Sequence, residues 1–94
     1  MPLPLDSAEC HELLKSLPSW QINGNSLSKV FKLETYPAGL KFATTCGEIA
    51  EEMNHHPDLL VQWRKVTVTI STHSCGALTR LDFEYAGKVE AVRI

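Results

Sequence analysis

The sequence predicts an α+β fold: one two-layer domain in which three helices cover one face of a four-stranded antiparallel sheet. Three observations lead to this prediction. Two segments have the composition and turn residues of β-hairpins, three segments carry apolar residues at helical spacing, and together they follow the order αββαββα. Consecutive hairpins favour an antiparallel sheet, and amphipathic helices bury their apolar stripes against one face of it. A chain of 94 residues supports one hydrophobic core, so residues 1–94 are expected to form a single domain.

The first half of the chain is expected to contain a helix and a hairpin. Asp6 and Glu9 form a capping-box pair, which predicts a helix over about 7–17. The dipeptide Asn23-Gly24 then separates two short segments of strand composition. Asn-Gly is typical of tight hairpin turns, because these turns need residues that accept a positive φ. We therefore expect two short antiparallel strands, one on each side of it.

The second half is expected to add a helix, another hairpin and a closing helix. Apolar residues at helical spacing predict a helix over about 37–53, and Pro57 disfavours helical conformation in the residue before it. A strand follows in "KVTVTI", where apolar and polar residues alternate, and a turn near 64–65 would make it part of a second hairpin. Thr79 and Asp82 resemble another capping pair, which would start the closing helix.

Composition and charge exclude several classes of function. The formal net charge is -2 and the basic residues are scattered, so the basic surface that direct nucleic-acid binding needs is not expected. No apolar run approaches the roughly 20 residues of a membrane span, and the start of the chain lacks the features of a secretory signal. We therefore expect a cytoplasmic protein without membrane association. The three cysteines, Cys10, Cys46 and Cys75, are expected to be reduced and to act as small apolar residues.

Three of the four histidines fall at the ends of predicted elements. His55 and His56 follow the second helix, and His73 follows the last strand. Side chains at such ends can converge on a ligand without loss of core packing. Glu51 lies four residues before His55, so on a continuous helix the two would share a face and the carboxylate would favour the imidazolium. Imidazole can donate or accept a proton near neutral pH, which makes this cluster a candidate acid/base site.

The residues alone leave other interpretations open. His11, on the first predicted helix, is expected to be a surface or capping residue, and Glu51 and Glu52 could simply form a solvated face. A metal site is disfavoured, because the spacing matches no Cys-x-x-Cys or His-Glu-x-x-His pattern and adjacent histidines point in different directions. A nucleophilic role for Cys75 near His73 has weaker support still.

Two segments resemble the pterin-4a-carbinolamine dehydratase family, namely "AEEMNHHPDL" and "VTVTISTHSCGALTRLDFEYA". The hallmark of that family is a glutamate four residues before His-His-Pro, then a strand that ends in Thr-His, then a Gly-Leu-Thr-x-x-Asp helix start. The resemblance covers nearly the whole chain, including Trp20 and the strand of Phe31. Two positions differ: Ala77 replaces a common second glycine, and Leu81 replaces an arginine that some members place before the aspartate, with Arg80 one position earlier.

The resemblance implies a set of site residues, which we carry over by position. The catalytic residues would be His55, His56 and His73, with Glu51 as the supporting acid. The substrate-binding residues would be Asn54, His55, His56, Ser71, Thr72, His73, Ser74 and Asp82. In this scheme His55, supported by Glu51, and His73 share the proton transfers, and His56 positions the substrate. Neither a metal ion nor a bound cofactor is expected.

The resemblance also implies an activity. It is that of a 4a-hydroxytetrahydrobiopterin dehydratase, a hydro-lyase that removes water from a 4a-hydroxytetrahydropterin and yields the quinonoid dihydropterin during tetrahydrobiopterin recycling. The alternative is a non-catalytic role, as a dimerisation or assembly cofactor for a protein partner, because the family includes such members. These members would use the helical surface. The resemblance further implies a homodimer or homotetramer, and self-association would help a domain with so small a core.

Overall fold

Three helices and four strands make up the computed structural model, which describes residues 2–93. In chain order they are α1 (Ser7–Leu14), β1 (Gln21–Asn23), β2 (Ser26–Lys32), α2 (Tyr36–Met53), β3 (Asp58–Gln62), β4 (Lys65–Ile70) and α3 (Arg80–Glu90). The predicted order αββαββα is confirmed. Helix α1 is shorter than the predicted span, because the backbone amides of residues 15–17 bond to carbonyls three residues back and form a tighter turn.

The four strands form one antiparallel sheet in the order β1-β2-β4-β3. The first hairpin turns one residue later than expected, since Asn23 pairs with Ser26 and the loop is Gly24-Asn25. Gly24 has a φ of 60°, and glycine with positive φ at the first central position is the mark of a type II′ turn.

The second hairpin turns one residue earlier than expected. Gln62 pairs with Lys65, so the loop is Trp63-Arg64. Arg64 takes the positive φ of 61° in this tight loop. Because β3 and β4 are antiparallel, the start of β3 lies beside the end of β4, and both predicted histidine segments lie at that end of the sheet.

The core lies between one face of the sheet and the helices. The inward side chains of the two central strands are buried, namely Leu27, Phe31, Val66, Val68 and Ile70. The ring of Phe31 lies between Trp20 and Phe42, with centroid distances of 5.9 and 4.7 Å. On the opposite face Val30 and Leu60 are exposed. The helices therefore cover one face, as predicted.

Two helix ends position the candidate site. Helix α2 ends at Met53, and Asn54 adopts the left-handed conformation. The amides of Asn54 and His55 bond to the carbonyls of Glu51 and Ala50, at 3.2 and 3.0 Å, which is the Schellman pattern. At the other helix, Thr79 and Asp82 form the predicted capping box of α3.

Helix α3 is tied to α2 inside the core. The buried Tyr85 hydroxyl donates to the Cys46 carbonyl oxygen at 2.8 Å. Burial raises the pKa of the Cys46 thiol to about 11, so this cysteine stays protonated and acts as a core residue. Across residues 2–93, no helix has both the length and the hydrophobicity that crossing a bilayer requires.

Candidate active site

A fully buried carboxylate, that of Asp82, lies at the centre of the candidate site. His55 Nε2 is 2.6 Å from Asp82 Oδ1. The Thr72 hydroxyl and the Thr79 backbone amide both donate to Asp82 Oδ2, each at 2.9 Å. A buried charge is tolerated when hydrogen bonds replace its hydration, and this carboxylate has three partners.

His55 is held tightly but keeps one nitrogen for chemistry. Its side chain is only 10% exposed, and Nε2 is engaged by Asp82. Nδ1 bonds to none of the described residues. Within residues 2–93 no fully buried side-chain nitrogen or oxygen lacks a partner, so Nδ1 must reach the molecular surface. His55 can therefore exchange a proton there while Asp82 fixes its ring.

The partner of Glu51 differs from the sequence expectation. Glu51 pairs with His56 Nε2, whereas His55 pairs with Asp82. The expected pairing of Glu51 with His55 is wrong because the helix does not continue to His55. The left-handed Asn54 turns the chain, so the usual four-residue helical neighbour relation no longer holds. The Glu51–His56 pair is exposed, and solvent screens it.

His73 lies on a short loop after β4 that Thr72 anchors. Thr72 and Ala77 form an isolated antiparallel bridge, and the amide of Gly76 bonds to the His73 carbonyl at 3.3 Å. The His73 side chain is exposed. Because its neighbour Thr72 donates to the same carboxylate that holds His55, Asp82 joins the two histidine segments.

The remaining residues that were predicted to contact substrate differ in how exposed they are. Asn54 and Ser74 are exposed and Ser71 is half-buried, so their side chains are available to a ligand. Thr72 and Asp82 are buried, and their polar side-chain atoms bond to protein groups. In the structure Asp82 bonds to His55 and Thr72 bonds to Asp82, and direct contact of either residue with substrate stays a prediction.

Sequence reasoning missed the contribution of Thr79. Its hydroxyl lies 2.8 Å from that of Thr72, and both are buried. The capping pair was the available signal, because the carboxylate of a capping box turns back toward the first residue of that box. What the local pattern could not supply was the approach of Thr72 and His55 from distant parts of the chain.

Other candidates fall outside this cluster. His11 is exposed and its Nδ1 lies 2.7 Å from the Ser7 carbonyl oxygen, as a local helix-surface residue. All three cysteines are free, and Cys75 is half-buried with Sγ near the Thr72 and Ala77 carbonyls. The part of the chain that the structure describes contains no group of three or more metal-binding side chains.

A groove of about 1050 Å³ lies between the N-terminal segment, α1 and α3. Leu5, Leu13 and Leu81 contribute to its lining, and none of the candidate site residues does. The histidines therefore belong to a separate surface at the end of the sheet.

Comparisons with known proteins agree on one family. The family model described as pterin 4 alpha carbinolamine dehydratase matches residues 3–92. A protein of Roseiflexus castenholzii with the provisional name pterin-4-alpha-carbinolamine dehydratase is 39% identical over 88 residues, which cover 94% of this chain and 95% of that protein. A protein of Sulfolobus acidocaldarius with the same provisional name is 36% identical over 91 residues, covering 97% of this chain and 100% of that one.

Solved structures agree on the fold. A crystal structure from Brucella melitensis, described as a transcriptional coactivator/pterin dehydratase, matches with a TM-score of 0.89 and 31% identity over 95% of this chain and 97% of that one. A pterin dehydratase-like protein described as a RuBisCO assembly factor of the alpha-carboxysome matches with a TM-score of 0.62, at 20% identity, over 77% of this chain and 83% of its own. The similarity to this second structure shows only a shared fold. The chain belongs to the pterin 4 alpha carbinolamine dehydratase family.

Proposed function

We propose that this protein is a 4a-hydroxytetrahydropterin dehydratase that works in the cytoplasm in tetrahydrobiopterin recycling. One observation carries the proposal: a buried Asp82 joins the His55 and Thr72–His73 segments in a chain of this family. Family membership supports a pterin as the substrate class. The geometry supports acid/base chemistry, because His55 has one nitrogen fixed by a carboxylate and the other at the surface.

The reaction needs two proton transfers. The bond between C4a and its hydroxyl oxygen breaks and the oxygen takes the electron pair, so an acid must supply a proton for water to leave. The lone pair of ring nitrogen N5 forms the new C=N bond, and a base removes the proton of N5. Well-placed general acids and bases contribute about 10²- to 10⁴-fold to such a rate. The products are water and the quinonoid dihydropterin, and no electron acceptor is consumed.

The proposed roles follow from the contacts. His55, held by Asp82, and His73, on the exposed loop, share the two proton transfers. His56, paired with Glu51, positions the pterin. This changes one part of the sequence-based scheme, since Asp82 replaces Glu51 as the support of His55.

Single histidine variants test the proposal. Dehydration of a synthetic 4a-hydroxytetrahydropterin is followed for His55→Gln, His56→Gln and His73→Gln, with His11→Gln as the matched control on the surface of α1. We expect kcat to fall by about 100-fold for His55→Gln and His73→Gln, because each loses a proton-transfer group. His56→Gln should mainly raise KM. Turnover by the His55 and His73 variants equal to that of the His11 control would refute the assignment.

A role in association is proposed as well. We propose that the chain forms a homodimer or homotetramer through helix α2, where Tyr36 and Leu40 are exposed one turn apart. The same stripe is the surface on which a protein partner, the alternative to a purely enzymatic role, would dock. Because Tyr36 and Leu40 begin the helix and the histidines follow its far end, association and catalysis use different surfaces.

A further inference from the structure

The hydrogen bonds around Asp82 have only one consistent set of directions. The Thr79 backbone amide can only donate, and it donates to Oδ2. The Thr72 hydroxyl also donates to Oδ2, which uses its single hydrogen. The 2.8 Å contact between the hydroxyls of Thr72 and Thr79 must therefore be a donation by Thr79. The Thr79 oxygen accepts in turn from the Leu81 amide at 3.2 Å.

The two oxygens of Asp82 therefore have different hydrogen-bond partners. Oδ2 faces two donors, the Thr72 hydroxyl and the Thr79 amide, and so must be an acceptor. Oδ1 faces only His55 Nε2. The threonines thus fix the orientation of the carboxyl group, and His55 meets an oxygen that is free to accept its proton.

We propose that Asp82 fixes the tautomer of His55, and that Thr72 and Thr79 are positioning residues that hold its carboxyl group in place. Asp82 keeps a proton on Nε2, so Nδ1 is the nitrogen that gains and loses a proton at the surface. The tautomer follows from the hydrogen bonds alone. Its consequence for catalysis rests on the proposed dehydratase function.

The sharpest test exchanges the carboxylate for an amide in the full-length protein. In Asp82→Asn, the two donors at the Oδ2 position will select the amide oxygen there, which leaves the amide NH₂ facing His55. Nε2 must then accept, and the proton of the neutral ring moves to Nδ1. We expect ¹⁵N–¹H spectra of the histidine side chains to show the Nε2-protonated tautomer of His55 in the wild type and the Nδ1-protonated tautomer in Asp82→Asn. The His55→Gln spectrum assigns the signal.

Thr72 variants test whether the hydroxyl sets the orientation. Thr72→Val keeps the shape of the side chain and removes the hydroxyl, whereas Thr72→Ser keeps the hydroxyl. For Thr72→Val we expect the Nε2-protonated tautomer to persist, because the carboxylate still only accepts, and kcat to fall roughly 10-fold with little change in KM, because the carboxyl group is held less firmly. Thr72→Ser should restore most of the turnover. A structural role alone would lower the melting temperature without changing kcat.

The outcomes separate this proposal from the proposed function. If Asp82→Asn keeps His55 protonated on Nε2, or if Thr72→Val turns over as fast as the wild type, the proposal is overturned. If Thr72→Val does not fold, the Asp82→Asn spectrum decides. A wild-type protein that has the expected tautomer but does not dehydrate the pterin would refute the function and leave the tautomer assignment standing.

Discussion

The buried carboxylate of Asp82 determines how His55 is held, because protein donors occupy both of its oxygens. Residue types at the site were predictable, since histidines at element ends are suited to bind a ligand. The hydrogen-bond partners of these histidines could not be predicted. The pairing depends on one backbone dihedral, the φ of 51° at Asn54, which turns His55 away from Glu51 and toward α3. The spacing of residues along a regular helix cannot predict such a turn.

The left-handed Asn54 gives a prediction at this scale. Asn54→Ala should lower the free energy of unfolding by about 1 kcal/mol, because a Cβ is strained in this conformation and asparagine tolerates it better than alanine does. Asn54→Gly should leave stability equal or higher, since glycine accepts positive φ without strain. Urea denaturation of the three proteins measures the difference.

Turnover in the same variants separates two roles of Asn54. If its side chain contacts the pterin, both Asn54→Ala and Asn54→Gly should raise KM. If it only ends the helix and directs His55, Asn54→Gly should behave as the wild type. An Asn54→Ala protein as stable as the wild type would contradict the strain at this position.

At the scale of elements, local sequence signals predicted most of the fold. The capping pairs Asp6–Glu9 and Thr79–Asp82 both form, and both hairpins are present. The hairpin loops each differ by one residue from expectation, because the residue that takes positive φ is set by the strand register and not by composition alone. The pairing of β2 with β4 could not be predicted from the local patterns, since it joins segments far apart in the chain.

Glu90 links helix α3 to strand β2 and to the loop before β1, and it gives a prediction of pH dependence. It accepts from Trp20 Nε1 at 2.9 Å and pairs with Lys29 of β2, which joins α3 to the sheet. Burial acts to raise the pKa of Glu90, but hydrogen bonds from Lys29 and Trp20 outweigh it and hold the pKa below its ordinary value. A carboxyl with a lowered pKa in the folded state contributes stability above its unfolded-state pKa and loses it as the pH falls through the folded-state pKa.

Glu90→Gln should therefore be less stable than the wild type at neutral pH, and the difference should shrink as the pH falls below the usual carboxyl range near 4.3. Urea unfolding from pH 7 to pH 3 measures it. Glu84→Gln, an exposed position on the same helix, is the matched control and should show no such trend. A stability difference that stays constant over this range would show that Glu90 contributes by packing alone.

At the scale of the whole molecule, two pairs of exposed apolar residues differ in character, one pair on α2 and one on the outer face of the sheet. On α2, Tyr36 and Leu40 are 44% and 46% exposed and lie one turn apart, so they form a continuous apolar stripe. On the outer face of the sheet, Thr67 pairs with both Val30 and Leu60 and so separates them. The helix stripe is the better candidate for self-association, because apolar contact there is not interrupted by a polar residue.

Leu40→Lys tests this surface, because a charge placed in an apolar contact between chains would be desolvated at a large cost. We expect light scattering after size exclusion to give a mass of two or four chains of 10.5 kDa for the wild type and a shift toward one chain for Leu40→Lys. Leu3→Lys, the same substitution at a 79% exposed leucine outside α2, should keep the wild-type mass.

Leu40 lies 13 residues before the end of α2 at Met53, about 20 Å along the helix, so its replacement should not alter the His55–Asp82 pair directly. A dissociated Leu40→Lys protein with wild-type turnover per chain would mean that each site is complete in one chain, whereas a loss of turnover on dissociation would mean that assembly supports the site. An unchanged mass for Leu40→Lys would remove α2 as the association surface.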